Sequence, residues 1–167
     1  MTGLRIALAA EESAGLQTLL ALAQAGHSIV ALFTSDPNSA IGRAAAGRDL
    51  ELLPAKAVKK AATAQRLRDL EVDVLFNVHS LYIVCPEVLT APRLGAFNLH
   101  PGPLPEYAGL NCISWAIYEG ASEYGVTLHE MVPTLDAGDT IFQSWHRSAA
   151  RCEDCTQTKN RDRRTAL

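Results

Sequence analysis

At 167 residues the chain is long enough for one domain with a real core and hardly for two. Its 48% hydrophobic and 20% charged content is ordinary for a soluble globular protein, and a net charge of -3 gives no support for broad attraction to nucleic acid or membrane. No run of about 20 apolar residues offers a membrane span.

The N-terminus, Met1-Thr2-Gly3-Leu4-Arg5, leads straight into the strand-like Ile6-Ala7-Leu8 and lacks the plan of a signal peptide, so a cytoplasmic location is expected. Residues 5–9 read as a short buried strand. Residues 13–25 follow with Leu16, Leu19, Leu20 and Leu22 at helical spacing, and Gly26 is the stop. Residues 28–34 form a second apolar strand, and Ser35-Asp36-Pro37-Asn38-Ser39 is rich in turn formers. A helix is expected over 55–70, with Val58, Ala61, Ala62, Leu67 and Leu70 on one side. Residues 73–78 are a third strand and 95–100 a fourth. Strand and helix alternating in this way predict an α/β layout with a mainly parallel sheet, whose ligands collect at the carboxyl ends of the strands.

Asn98 and His100 stand at such an end. Two apart on a strand, they point the same way, and Pro101-Gly102-Pro103 cannot continue the ladder. Next comes a helix over 111–118 with Ile113, Trp115, Ala116 and Ile117, of which Trp115 and Ile117 are expected in the core. Residues 125–132 and 140–148 alternate like strands, and Pro133-Thr134-Leu135-Asp136-Ala137-Gly138-Asp139 joins them. If 125–132 is a strand, His129 is expected to face away from Asn98 and His100. Tyr107 suits either the mouth of the site or simple packing.

From residue 151 the chain is polar and without apolar periodicity. The expectation is therefore a domain over 1–150 and a disordered tail over 151–167. Cys85 and Cys112 read as small buried thiols. Cys152 and Cys155 have metal or redox spacing, but no second pair completes a zinc site, and no metal is expected.

Taken singly, an Asn-x-His at a strand end is more often a capping or core-satisfied pair, and an Asp before Ala-Gly more often a turn former. Taken together the segments say more. Asn98-Leu99-His100-Pro101 with Leu104-Pro105 and Gly109, then Gly125-Val126-Thr127-Leu128-His129, then Leu135-Asp136-Ala137-Gly138-Asp139, resemble the folate-dependent formyltransferases from Arg5 to about Ala150. The resemblance implies a Rossmann-like sheet flanked by helices and 10-formyltetrahydrofolate as co-substrate. It also implies Asn98, His100 and Asp136 as the catalytic group. It places Leu81, Tyr82, Ile83 and Val84, with Pro133, Thr134 and Leu135, beside the folate.

The chemistry agrees with the side chains. An amide and a protonated imidazole can stabilise the oxyanion formed when an amine attacks a formyl group, and a carboxylate can orient the imidazole and relay the proton. A glycine after Asp136 suits a loop pressed close to a flat ring because it tolerates positive φ.

The acceptor is an amine that the motifs leave open. Ala9-Ala10-Glu11-Glu12-Ser13 has no glycine-rich phosphate cradle, and two carboxylates there would repel phosphate, which disfavours glycinamide ribonucleotide. Transfer RNA is disfavoured by low basic density, with Arg43 alone in 35–47 and Arg161, Arg163 and Arg164 in the tail. Gly102, where many members carry Ser, and the run from Tyr107 to Ile117 look most like formyltransferase domains of peptide-synthetase assembly lines, with a carrier protein as partner. The nearest housekeeping likeness is methionyl-tRNA formyltransferase. The family's helices after the strand at 140–148 are not evident, so a C-terminally shortened domain is expected. Such a chain could also be a weakly active homologue that binds folate, or a 10-formyltetrahydrofolate hydrolase.

Overall fold

The computed structural model of the chain describes residues 3–147. They form a seven-stranded sheet in the order β3-β2-β1-β4-β5-β6-β7. Strand β1 (Arg5–Ala10) is central and apolar on both faces, with Ile6 through Ala10 fully buried. Ala7 and Ala9 join a cluster with Phe33, Leu67 and Leu75; Ile6, Leu8 and Ala10 join another with Leu19, Leu32 and Ile41. Because successive strand side chains alternate, these clusters are the cores on the two faces of one sheet.

From β1 the chain enters helix α1 (Glu12–Gln24) and returns as β2 (Ser28–Thr34). A short helix α2 (Ala40–Ala45) leads to the edge strand β3 (Glu51–Pro54), and helix α3 (Ala62–Asp69) leads to β4 (Val74–Val78) on the other side of β1. Helix α4 (Pro86–Leu89) precedes β5 (Gly95–His100), and α5 (Cys112–Glu119) precedes β6 (Glu123–Glu130) and β7 (Thr140–Arg147). The pairs among β1 to β5 are parallel and those of β6 antiparallel. The order reverses between β1 and β4, where open α/β sheets carry a ligand crevice.

The expected helix over 55–70 is two elements, a 3-10 turn over Ala55–Lys59 and then α3. Lys60 is extended, which breaks the helical ladder, and the Val58 carbonyl accepts instead from the Cys85 N–H at 3.0 Å. Helix α2 and strand β3 were not anticipated. Each is short, α2 depends on the Ser39 hydroxyl accepting from the Gly42 N–H, and β3 ends in proline at the sheet edge. Trp115 is not in the core: it is 57% exposed, because α5 turns Cys112 and Ala116 inward at i, i+4 spacing. Cys112 is buried and Cys85 half-buried, packed against the first core cluster. Among the described residues no helix is long and apolar enough to cross a membrane. The tail over 151–167, with Cys152 and Cys155, lies outside the described residues.

Candidate active site

Asn98 and His100 lie on β5 and share the face of Ala96, as alternation requires. His100 is nearly sealed. Its Nε2 lies 2.8 Å from the Tyr107 carbonyl and so carries the proton it donates there. Its Nδ1 points at Asp136, 3.7 Å from Oδ1. That is close enough for charge attraction and too long for a direct hydrogen bond.

Asp136 reaches this face from the loop between β6 and β7. Its backbone is left-handed at φ 53, a conformation Asp tolerates better than most residues. Its Oδ2 accepts from the Gly109 N–H at 2.8 Å, which leaves Oδ1 toward the imidazoles. The glycine that follows serves a purpose other than the one expected. Positive φ falls on Asp136 itself, while a Cβ on Gly138 would lie 2.0 Å from the Glu130 carbonyl oxygen. Gly138 is needed for close approach of two backbones.

The expectation that His129 faces away is wrong. His129 is 2% exposed, with its Nε2 3.1 Å from Asn98 Nδ2 and 3.6 Å from Asp136 Oδ1. The cause is the register: β6 is antiparallel to β5 and pairs His129 with Asn98, and residues directly opposite each other share a face. His129 Nδ1 donates to the Glu130 carbonyl at 2.8 Å, so Nε2 is the acceptor for Asn98. Asn77 of β4 is a second residue that was missed. It pairs with Asn98 in the parallel register and donates from Nδ2 to Asn98 Oδ1 at 3.1 Å. The Asn98 amide is therefore held from both sides, with one of its two N–H donors uncommitted. An Asn at the end of one parallel strand beside an Asn at the end of the next was the available signal.

The loop after His100 is clamped to β6. Thr127, fully buried, accepts from the Leu104 N–H at 3.0 Å and donates to the Gly102 carbonyl at 2.8 Å. The Pro101 carbonyl accepts from the Tyr124 hydroxyl at 2.6 Å and from Cys112 Sγ at 3.3 Å. Burial, and then the hydrogen bond with Cys112, raise the Tyr124 pKa well above the ordinary phenol value, so this donor stays protonated. Tyr107 is raised too, by its hydrogen bond to Glu119. Gly102 is packed on three sides. A Cβ there would meet Tyr124 Oη, His100 Nε2 and Tyr107 Cβ at 3.1 to 3.2 Å.

The residues expected beside a folate divide. Leu81 and Ile83 project from the loop after β4 at 80% and 63% exposure, and Leu135 is 64% exposed at the tip of the Asp136 loop. Thr134 is also exposed, and Tyr82 is half-buried against the core. Val84 is different: its side chain is buried in the first core cluster and unavailable as lining. Pro133 borders a cavity of about 390 Å³ whose walls include Leu89, Leu94, Ala96 and Met131. Among the described residues no group of three or more His, Cys, Asp and Glu side chains is placed to hold a metal ion.

Just past the end of β1, with its side chain turned toward β2, Glu11 is a buried carboxylate. It accepts from Thr34 Oγ1 at 3.0 Å, from the Ser35 N–H at 2.7 Å and from the Ser35 hydroxyl. Glu12 beside it is exposed and lies 3.2 Å from His79 Nδ1. The donors at the end of β2 thus face a carboxylate of the protein itself.

This architecture is shared with known proteins. Glycinamide ribonucleotide transformylase 1 from Symbiobacterium toebii superposes with a TM-score of 0.75 at 25% identity, over 94% of this chain and 80% of that one. Phosphoribosylglycinamide formyltransferase from Bacillus halodurans gives 0.76 at 21% identity, over 95% and 88%. A formyltetrahydrofolate deformylase from Pseudomonas syringae pv. tomato gives 0.73 at 21% identity, over 97% of this chain and 57% of that one. The last two likenesses speak for the fold alone. The family model described as formyl transferase matches residues 4–165, nearly the whole chain and further than the motifs themselves reach. The chain belongs to the formyl transferase family.

Proposed function

We propose that the chain moves a formyl group from 10-formyltetrahydrofolate to a primary amine. The observation that carries this reading is the convergence of Asn98, His100 and Asp136 on one face, with His129 and Asn77 holding the Asn98 amide. Attack by the amine nitrogen on the formyl carbon forms the new C–N bond and places negative charge on the formyl oxygen. The uncommitted N–H of Asn98 donates to that oxygen. His100 supplies positive charge when protonated, its Nε2–H fixed by the Tyr107 carbonyl and its Nδ1 facing Asp136. Asp136, through water, takes the proton lost by the amine, and the folate N10 leaves with a proton as its bond to carbon breaks. Leu81, Ile83, Pro133, Thr134 and Leu135 offer surface to the folate; Tyr82 and Val84 support that loop from beneath.

Glu11 and Glu12 argue about the acceptor. The Glu11 carboxylate already takes the donors at the end of β2, and a phosphate brought to the carboxyl end of β1 would meet the negative charges of Glu11 and Glu12. This favours an amine without a neighbouring phosphate, such as an assembly-line aminoacyl group on a carrier protein, over glycinamide ribonucleotide. Transfer RNA is not favoured, at a net charge of -3. Tetrahydrofolate release measured across carrier-bound amino acids, nucleotide amino sugars, glycinamide ribonucleotide and aminoacyl-tRNA tests the reading. Turnover is expected with a carrier-bound amino acid, whose phosphate lies a pantetheine arm away from the amine, and not with glycinamide ribonucleotide. Turnover with water alone, unchanged by every amine, would make the chain a hydrolase instead.

A further inference from the structure

A second cavity among the described residues has no part in this chemistry. It measures about 540 Å³ and opens at the amino ends of β1, β2 and β3, the end of the sheet opposite to that of His100. Its walls include Arg5, Arg48, Arg66 and His27, with Asp49 and Glu51.

The three guanidinium groups share an arrangement. Arg5 Nε donates to the Leu70 carbonyl at 3.0 Å, Arg48 Nε to the Ala44 carbonyl at 2.9 Å, and Arg66 Nε to Glu51 Oε2 at 2.6 Å. Each fork is thus held by its inner nitrogen, while among the described residues the paired Nη atoms make no recorded hydrogen bond. Other arginines differ: Arg93 uses Nε and Nη2 on Asp73, and Arg43 uses Nη1 on the Asn38 carbonyl. His27 adds a donor. Its Nδ1 accepts from the Leu4 N–H at 3.2 Å, which puts the proton of the neutral ring on Nε2. Among the lining residues Glu51 is matched by Arg66 and Asp49 stands beside Arg5 and Arg48, while Asp73, near Arg5 but outside the lining, is matched by Arg93. Positive charge is in surplus here, on a chain whose net charge is -3.

We propose that this cavity is a binding site for a small phosphorylated anion, separate from the formyl-transfer site. Anchored forks lose little freedom on binding, and the volume is that of a small-molecule site. Guanidiniums approaching from three different elements need acceptor oxygens pointing in several directions. A phosphate or pyrophosphate presents them, whereas a single carboxylate presents two in one plane. The inference does not depend on the identity of the formyl donor or acceptor.

Calorimetric titration of the full chain with pyrophosphate, against sodium chloride of matched ionic strength, tests it. One saturable site is expected, weakened roughly tenfold by Arg48→Gln and by Arg66→Gln. Each variant is first shown to melt as the parent does, and His100→Ala should bind as the parent does. Absence of saturable binding, affinity unchanged in both arginine variants, or loss of binding in His100→Ala would overturn the proposal.

Discussion

His129 illustrates how one side chain can matter without touching the reacting atoms. Its Nε2 fixes the Asn98 amide at 3.1 Å, and Asn77 fixes the same amide from the other side. Replacing His129 by Leu removes the acceptor and leaves a buried amide N–H without a partner. With Asn98 in its proposed role as oxyanion donor, the mispositioned amide is expected to cost on the order of tenfold to a hundredfold in kcat, with KM for the folate little changed. His129→Gln, whose side-chain oxygen can accept the same hydrogen bond, should recover part of the loss. Equal loss in both variants would mean that His129 acts through bulk packing. The residue was hidden in the sequence for a definite reason. Alternation within 125–132 tells which residues share a face, but not which face meets β5. The antiparallel register decides that, and register is a property of two strands. That Asn98, His100 and Asp136 come together was legible because their segments occur in a recognisable order and spacing. The burial of Val84 was not legible for the opposite reason: an apolar residue in a loop looks the same in sequence whether it faces a ligand or the core.

Among elements, the loop joining β6 to β7 carries the most consequence. It holds Asp136 in a left-handed conformation, ties it to Gly109, and passes Gly138 against the Glu130 carbonyl. A methyl group at Gly138 would sit 2.0 Å from that oxygen, so Gly138→Ala must displace the loop. The expected outcome is a fall in kcat on the order of a hundredfold, with the thermal midpoint lowered by only a few degrees. An unchanged kcat would mean that Asp136 does not need this placement. The parallel strands β1, β2, β4 and β5 were legible as apolar runs, since they lie inside the sheet. The short β3 and α2, and the break at Lys60, were not: both elements are too short for a periodic signal, α2 resting on the local Ser39 cap, and the break is set by the tertiary bond of Cys85 to Val58.

Across the whole molecule, Asp73 ties the start of β1 to the segment before β5. Its carboxylate accepts from the Arg5 N–H at 2.8 Å and pairs with Arg93 at 2.6 Å. The backbone N–H of Arg5, and then the side-chain hydrogen bond from the Arg93 guanidinium, hold its pKa below the ordinary carboxylate value. Since the folded-state pKa is depressed, the stabilisation is complete above the unfolded value of about 4 and is lost as pH falls through the folded one. Asp73→Asn should therefore flatten the acid limb of denaturant stability plotted against pH; a limb as steep as the parent's would assign acid lability to other carboxylates. The central claim, that Asn98, His100 and Asp136 act together on a formyl group, has a more direct test. Single-turnover release of tetrahydrofolate would be followed in the parent, His100→Ala and Asp136→Asn with an amine that supports turnover, folate affinity being measured alongside. The account predicts a loss on the order of a hundredfold or more in both variants with folate affinity retained. Release at the parental rate in either variant would contradict it.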